Sequence, residues 1–154
     1  MSINVGDRAP DFTMPTDGDG KVALAELAGK NVVLYFYPKD DTSGCTAEAC
    51  AFQEALPNFA GIDAVIVGVS KDSPAKHDKF KAKYNLAFTL ISDEEGKLCE
   101  AFGTWVEKSM YGRKYFGIER STFLIDQTGT VRNVWRKVKV TGHAKDVLKA
   151  VEAL

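Results

Sequence analysis

The sequence predicts an α/β protein with an open mixed sheet and helices on both faces. Three observations carry this. Residues 32–37 and 64–69 are near-continuous apolar runs, as expected of strands buried on both faces. The helix-prone residues 46–55 lie between them, so strand, helix and strand make a βαβ unit with parallel strands. Residues 120–125 and 130–135 flank Asp126-Gln127-Thr128-Gly129, a hairpin signal that adds antiparallel strands.

The elements follow in order. Asp17-Gly18-Asp19-Gly20 is a turn between two short extended pieces, residues 12–15 and 21–23, which form an N-terminal β-extension. The helix after residue 46 is expected to end near Pro57, which breaks or kinks a helix. Ser73-Pro74 supplies an N-cap and a first-turn proline, and Phe80 and Tyr84 share one face of the helix that follows. The lysines of that helix and His77 are expected at its solvent face. Residues 88–91 form a short strand. Ser92-Asp93-Glu94-Glu95 resembles a capping box leading to a helix through Phe102. Residues 104–117, with Trp105, Tyr111, Tyr115 and two glycines, read as a loop or small hairpin. A last helix starts near His143 and is expected to bury Val147, Leu148, Val151 and Leu154.

At 154 residues the chain is expected to form one domain with a core that needs no staples. Lys and Arg number 20 and Asp and Glu 21, so no global field favours nucleic acid or an anionic membrane. No apolar run approaches the roughly 20 residues that span a bilayer. The start, Met1-Ser2-Ile3-Asn4-Val5-Gly6-Asp7-Arg8, lacks the pattern of a secretory signal, and the expected compartment is the cytoplasm. Three cysteines are an odd count, which argues against a disulfide framework. Two histidines and no C-x-x-C pair argue against structural zinc.

The chemistry concentrates where the first buried strand meets the first helix. Pro38-Lys39-Asp40-Asp41-Thr42-Ser43-Gly44-Cys45 places a cysteine at a helix start, just past the carboxyl end of a strand. There, orphan N–H groups and the positive end of the helix dipole face the sulfur. Gly44 and the polar turn predict an exposed thiol. A free thiol is only about 3% ionised at neutrality. Making the anion dominant takes about 3.4 kcal/mol, whereas a helix N-terminus supplies at best about 2 kcal/mol. A nearby fixed cation can supply the remainder. Arg120, at the start of a core strand, is the candidate, because its charge is permanent and its donors form a planar fork. Thr42 can orient an oxygen substrate through its hydroxyl. Pro38 fixes the turn and can shield the sulfur. Glu48, one turn below Cys45, either holds Arg120 or is an ordinary first-turn charge.

At these residues the chain resembles the peroxiredoxins, and within them the bacterioferritin-comigratory-protein, or PrxQ, group. Pro38-x-x-x-Thr42-x-x-Cys45 resembles the peroxidatic motif, and Cys50 stands where many PrxQ members carry a resolving cysteine. Val5-Gly6-Asp7-Arg8-Ala9-Pro10-Asp11-Phe12 is similar to the opening segment, and Arg120-Ser121-Thr122-Phe123-Leu124-Ile125-Asp126 to the strand with the active-site arginine. Ser43 departs from the group, where proline is common; no catalytic group is lost. The resemblance implies a thioredoxin-like fold and thiol-dependent reduction of hydrogen peroxide and organic hydroperoxides. It implies a sulfenic acid on Cys45, an intramolecular disulfide with Cys50, and recycling by thioredoxin or glutaredoxin. Pro38, Thr42 and Arg120 complete the implied peroxide pocket. No metal or organic cofactor is implied, and a monomer is the implied assembly.

Cys45 and Cys50 are five residues apart. On an ideal helix this leaves their Cα atoms roughly 8.7 Å apart, whereas a disulfide needs about 4.4–6.8 Å. Resolution is therefore expected to unwind the first turns of the helix. Cys99 is expected to be a packed thiol. Trp105, Tyr111 and Phe116 are core residues, pocket walls or docking residues. Two alternatives stand beside the peroxidase: a thioredoxin-like thiol-disulfide oxidoreductase, for which C-x4-C is longer than the usual C-x-x-C, and a thiol redox sensor.

Overall fold

A computed structural model describes residues 3–154. Near its N-terminus β1 (Thr13–Pro15) and β2 (Lys21–Ala23) pair antiparallel. Then follow β3 (Asn31–Phe36), α1 (Ser43–Ala60), β4 (Ala64–Ser70), α2 (Pro74–Tyr84), β5 (Thr89–Ser92) and α3 (Lys97–Ala101). A separate antiparallel hairpin comprises β6 (Trp105–Met110) and β7 (Arg113–Ile118). The chain ends with β8 (Ser121–Ile125), β9 (Val131–Trp135) and α4 (His143–Glu152). The central sheet has the order β5-β4-β3-β8-β9. Its first three strands are parallel; β8 runs antiparallel to β3 and to β9. This is the mixed sheet flanked by helices that the sequence predicts.

Alternation along β3 builds both halves of the core. Val33 and Tyr35, with Tyr37 beyond the strand, pack on Ala49, Phe52 and Phe59 of α1, Phe80 of α2 and Val147 and Val151 of α4. Val32, Leu34 and Phe36 face the other way, toward Leu98 and Cys99 of α3, Phe102 and Val22 of the N-terminal hairpin. The crossovers from β3 to β4 and from β4 to β5 run the same way across the sheet, and α1 and α2 share one core cluster.

Three local expectations are corrected. Helix α1 continues through Pro57 to Ala60. An interior proline costs about 3 kcal/mol, but the extra turn buries Phe59 completely, which contributes about 1.5–3 kcal/mol. The capping box at Ser92 does not form. Helix α3 starts only at Lys97, after Gly96 in a left-handed conformation, and the Asp93 carboxylate accepts from the Leu98 and Cys99 amides. Leu154 lies past the end of α4 and is exposed, and Leu148 is only partly buried. The other end signals act as read: Ser73 Oγ accepts from Lys76 N with Pro74 at the start of α2, and the Asp126 carboxylate accepts from the Thr128 and Thr130 amides in the β8–β9 turn.

Candidate active site

Strand β3 ends at Phe36, and residues 37–42 lead from it to α1. Because β8 runs antiparallel to β3 and Ser121 pairs with Phe36, the residue before β8 arrives at the same end of the sheet. That residue is Arg120. Its Nη2 donates to the Cys45 sulfur at 3.3 Å, and its Nη1 donates to Glu48 Oε1 at 2.7 Å. Cys45 and Glu48 are three residues apart on one face of α1, so a single planar guanidinium reaches both. Gly44 leaves room for it: a Cβ there would stand 3.3 Å from Nη2.

Cys45 is buried, at 1% exposure, against Val33, Tyr35, Tyr37 and Ala49. This corrects the expected exposure. The polar turn lies above the sulfur, but the first turn of α1 presses the residue onto β3 and Arg120 covers it. Low-dielectric walls strengthen the attraction between the guanidinium and a sulfur anion. The start of α1 is also open to an anion. Thr42 is the N-cap but makes no side-chain cap; its hydroxyl donates to the Lys39 carbonyl at 2.9 Å. First-turn amides are thus not taken up by the cap.

Glu48 is buried, and its Oε2 has no hydrogen-bond partner. Burial pushes its pKa from 4.5 to about 7, against the opposing pull of Arg120. Burial alone would lower the Arg120 pKa, but Glu48 and Cys45 outweigh it and hold the guanidinium charged. Tyr35 contributes a second buried oxygen without a partner, and its pKa is raised by burial and then by Glu48. Half-buried Lys108 on β6 feels the same site: burial lowers its pKa, and repulsion from Arg120 adds to this.

The structure thus brings Cys45, Arg120 and Glu48 into contact. Pro38 and Thr42 lie exposed on the connecting loop. Cys50 is half-buried on α1, and all three cysteines are free thiols with the helix intact between Cys45 and Cys50. Cys99 is packed in the opposite core, its pKa driven far up by burial and then by Asp93. His143 begins α4, shares a 2.7 Å hydrogen bond with Thr122 Oγ1, and has its pKa lowered to about 4 by burial. Trp105 stacks on Phe116 and lies under Lys71, whereas Tyr111 at the hairpin tip is fully exposed.

His77 is the main departure. It is completely buried, not solvent-facing. Its Nδ1 is 2.6 Å from Asp40 Oδ2 and its Nε2 is 2.9 Å from the Ile91 carbonyl. Asp40 belongs to the loop before Cys45, and its carboxylate also accepts from the Tyr37 hydroxyl. One signal pointed here: His77, Phe80 and Tyr84 follow the i, i+3, i+7 spacing of a buried face.

The AhpC/TSA family profile matches residues 5–134. Peroxiredoxin Bcp of Bacillus subtilis is 51% identical over 99% of this chain and 97% of its own length. The solved structure of a cysteine-to-serine variant of Xylella fastidiosa PrxQ superposes with a TM-score of 0.94 at 41% identity, covering 99% of this chain and 98% of that one. A structure of the Xanthomonas campestris bacterioferritin comigratory protein, studied for its alkyl peroxide reduction activity, superposes with a TM-score of 0.89 at 48% identity, covering 92% and 90%. With a thioredoxin-like sheet, a cysteine at the head of α1 and an arginine delivered to it by β8, the chain belongs to the AhpC/TSA family, among peroxiredoxins of the Bcp and PrxQ type.

Proposed function

We propose that Cys45 is the peroxidatic cysteine of a peroxidase acting on hydrogen peroxide and organic hydroperoxides, with Cys50 as its resolving partner. As a peroxiredoxin the protein is a thiol-dependent peroxidase. The observation that carries the assignment to Cys45 is the Arg120 guanidinium, 3.3 Å from the sulfur and fixed on its other side by Glu48. The thiolate is the nucleophile in this chemistry, and the guanidinium donates to the atom that carries its charge. The same donors suit the charge that develops on the peroxide oxygens.

The thiolate attacks the terminal peroxide oxygen. A sulfur–oxygen bond forms, the oxygen–oxygen bond breaks, and the departing alkoxide or hydroxide takes a proton to leave as alcohol or water. Cys45 is oxidised to a sulfenic acid, and the peroxide is reduced. In this reading Thr42 orients the substrate through its hydroxyl, which donates to the Lys39 carbonyl in the free protein, and Pro38 shapes the loop that leads to Cys45. The Cys50 thiol then attacks the sulfenic sulfur, forming a disulfide and releasing water. A dithiol reductant, thioredoxin or glutaredoxin, accepts the disulfide and restores both thiols.

The test is peroxide consumption coupled to thioredoxin, its reductase and NADPH. Cys45→Ser and Cys50→Ser lose turnover with this donor, and Cys99→Ser keeps it. Retained turnover in Cys45→Ser would remove the mechanism.

A further inference from the structure

Residues 37–42 form the link between the central strand and the cysteine helix, and α2 holds that link at two adjacent carboxylates. The outer hold is exposed. Asp41, in a left-handed conformation at φ +60°, accepts from Lys83 Nζ at 2.8 Å and from the Tyr84 hydroxyl at 2.7 Å. The inner hold is the buried pair His77–Asp40. Around it, the Asp40 amide donates to Asp72 Oδ2 at 2.8 Å, and the same oxygen accepts from Ser70 Oγ at 2.7 Å.

The protonation of His77 follows from its partners. The Ile91 carbonyl can only accept, so Nε2 carries a hydrogen. Nδ1 faces a carboxylate oxygen whose partner oxygen already accepts from Tyr37. With Asp40 ionised, both ring nitrogens donate, and the ring is an imidazolium. Burial opposes that charge, and the hydrogen bond and charge of Asp40 outweigh it, raising the His77 pKa. Beside an ionised Asp40, a neutral ring has one N–H and would leave either the carbonyl or the carboxylate unpaired in the interior.

A buried ion pair is a poor source of stability, since an apolar pair of similar volume serves as well or better. What it does provide is one defined position for the loop. Asp40 and Asp41 immediately precede Thr42, whose carbonyl accepts from Thr46 N at 2.8 Å and so sets the start of α1. We propose that His77 is a positioning residue for the peroxide reaction: as an imidazolium spanning Ile91 and Asp40, it fixes the loop that carries Pro38 and Thr42 to the helix start bearing Cys45. The assignment rests on the peroxidase reading above and adds α2 to the machinery that reading requires. His77 touches no reacting atom; it acts through Asp40.

The test uses His77→Gln and Asp40→Asn. Glutamine cannot donate in both directions, and asparagine removes the charge that holds the imidazolium while keeping the volume of the side chain, so the second variant keeps the fold if the first does not. Two rates are measured at Cys45 on folded protein: oxidation by hydrogen peroxide in stopped flow, and alkylation by iodoacetamide followed by mass spectrometry. Alkylation needs the thiolate but not the peroxide pocket. Loss of positioning lowers the peroxide rate about tenfold or more, since small misplacements are costly in an oriented reaction, and leaves alkylation nearly unchanged. The double variant is no slower than the worse single one, as expected of residues acting as a unit. Nitrogen-15 NMR of the wild type at neutrality shows both His77 ring nitrogens protonated. Equal loss of both rates, no loss of either, or a neutral His77 overturns the assignment. If wild-type protein reacts with peroxide no faster than free cysteine, the peroxidase reading falls and the assignment with it. A fast wild type with unaffected variants removes the assignment alone.

Discussion

Glu48 and Arg120 stand 72 positions apart in the chain and 2.7 Å apart in the fold, and only one of the two carboxylate oxygens gains a partner. The pairing is therefore incomplete, and the buried carboxyl keeps a high proton affinity near neutrality.

That affinity makes stability depend on pH. The folded-state pKa of Glu48, about 7, lies above the ordinary 4.5. The folded state binds this proton more tightly than the unfolded chain does. Its contribution to stability is thus fully present below the unfolded value and is lost as pH rises through about 7. Urea midpoints of the wild type should fall across this window, and those of Glu48→Gln should fall less, because the amide does not titrate. The raised pKa of His77 adds a loss of the same sign to both proteins and cancels in the comparison. Parallel curves for the two proteins would show that Glu48 does not titrate there.

Arg120 uses two nitrogens for two partners, and a lysine cannot reproduce the fork. Arg120→Lys keeps the charge but must abandon Glu48 or Cys45. Loss of one donor to a developing anion costs about 10²–10³ in rate, so oxidation of Cys45 by peroxide should slow by about a hundredfold. Stopped-flow mixing measures this directly. A rate within a few-fold of wild type would mean that charge alone suffices and that the planar geometry contributes little.

The fold and the catalytic constellation were legible where their signals are local. The apolar runs of β3 and β4, the Ser73-Pro74 start of α2 and the Asp126 turn are written in contiguous residues. Arg120 was legible because a core strand follows it directly and holds it in place. His77 was not, since Lys76, Asp78 and Lys79 surround it and its partners, Asp40 and the Ile91 carbonyl, come from other elements. The burial of Cys45 was hidden for a related reason: Gly44 reads as a mark of exposure, yet it is small because Arg120 passes 3.3 Å from where its Cβ would be. Pro57 misled because its helix-breaking tendency is intrinsic, whereas the burial of Phe59 that offsets it is tertiary.

Gly44 gives a graded test of the same contact. An alanine methyl at 3.3 Å from Nη2 is tighter than an ordinary contact, and the guanidinium, held by Glu48, has little freedom to retreat. Gly44→Ala should move Arg120 by a few tenths of an ångström and slow Cys45 oxidation by about three- to tenfold, a smaller loss than removal of a donor. Gly44 is the second residue of α1, where alanine gains less than the roughly 1 kcal/mol it gains in a helix interior, so thermal stability should hold while the rate falls. A faster variant, or one that loses stability and rate together, would mean that the close approach of Arg120 does not explain the glycine.

The free thiols at Cys45 and Cys50 lie on an unbroken helix, in which ideal geometry separates their Cα atoms by roughly 8.7 Å, beyond disulfide range. Forming the proposed bond must break the first turns of α1. Doing so also withdraws Cys45 from Arg120 and from its apolar pocket, which opposes the step. Oxidation with one equivalent of peroxide should abolish amide protection over residues 46–50, whose bonds begin with Thr46 N to the Thr42 carbonyl, while β3 and the far end of α1 around Phe52 and Phe59 stay protected. The opposing contacts should also make resolution slow enough for a second peroxide to compete, so that rising peroxide gives sulfinic acid at Cys45. Mass spectrometry after graded peroxide additions measures that fraction. In Cys50→Ser, where resolution is absent, the fraction should be larger at every dose. A disulfide form whose amides 46–50 remain protected would contradict the unwinding, and an absence of sulfinic product in both proteins would show that the sulfenic acid is shielded by something other than Cys50.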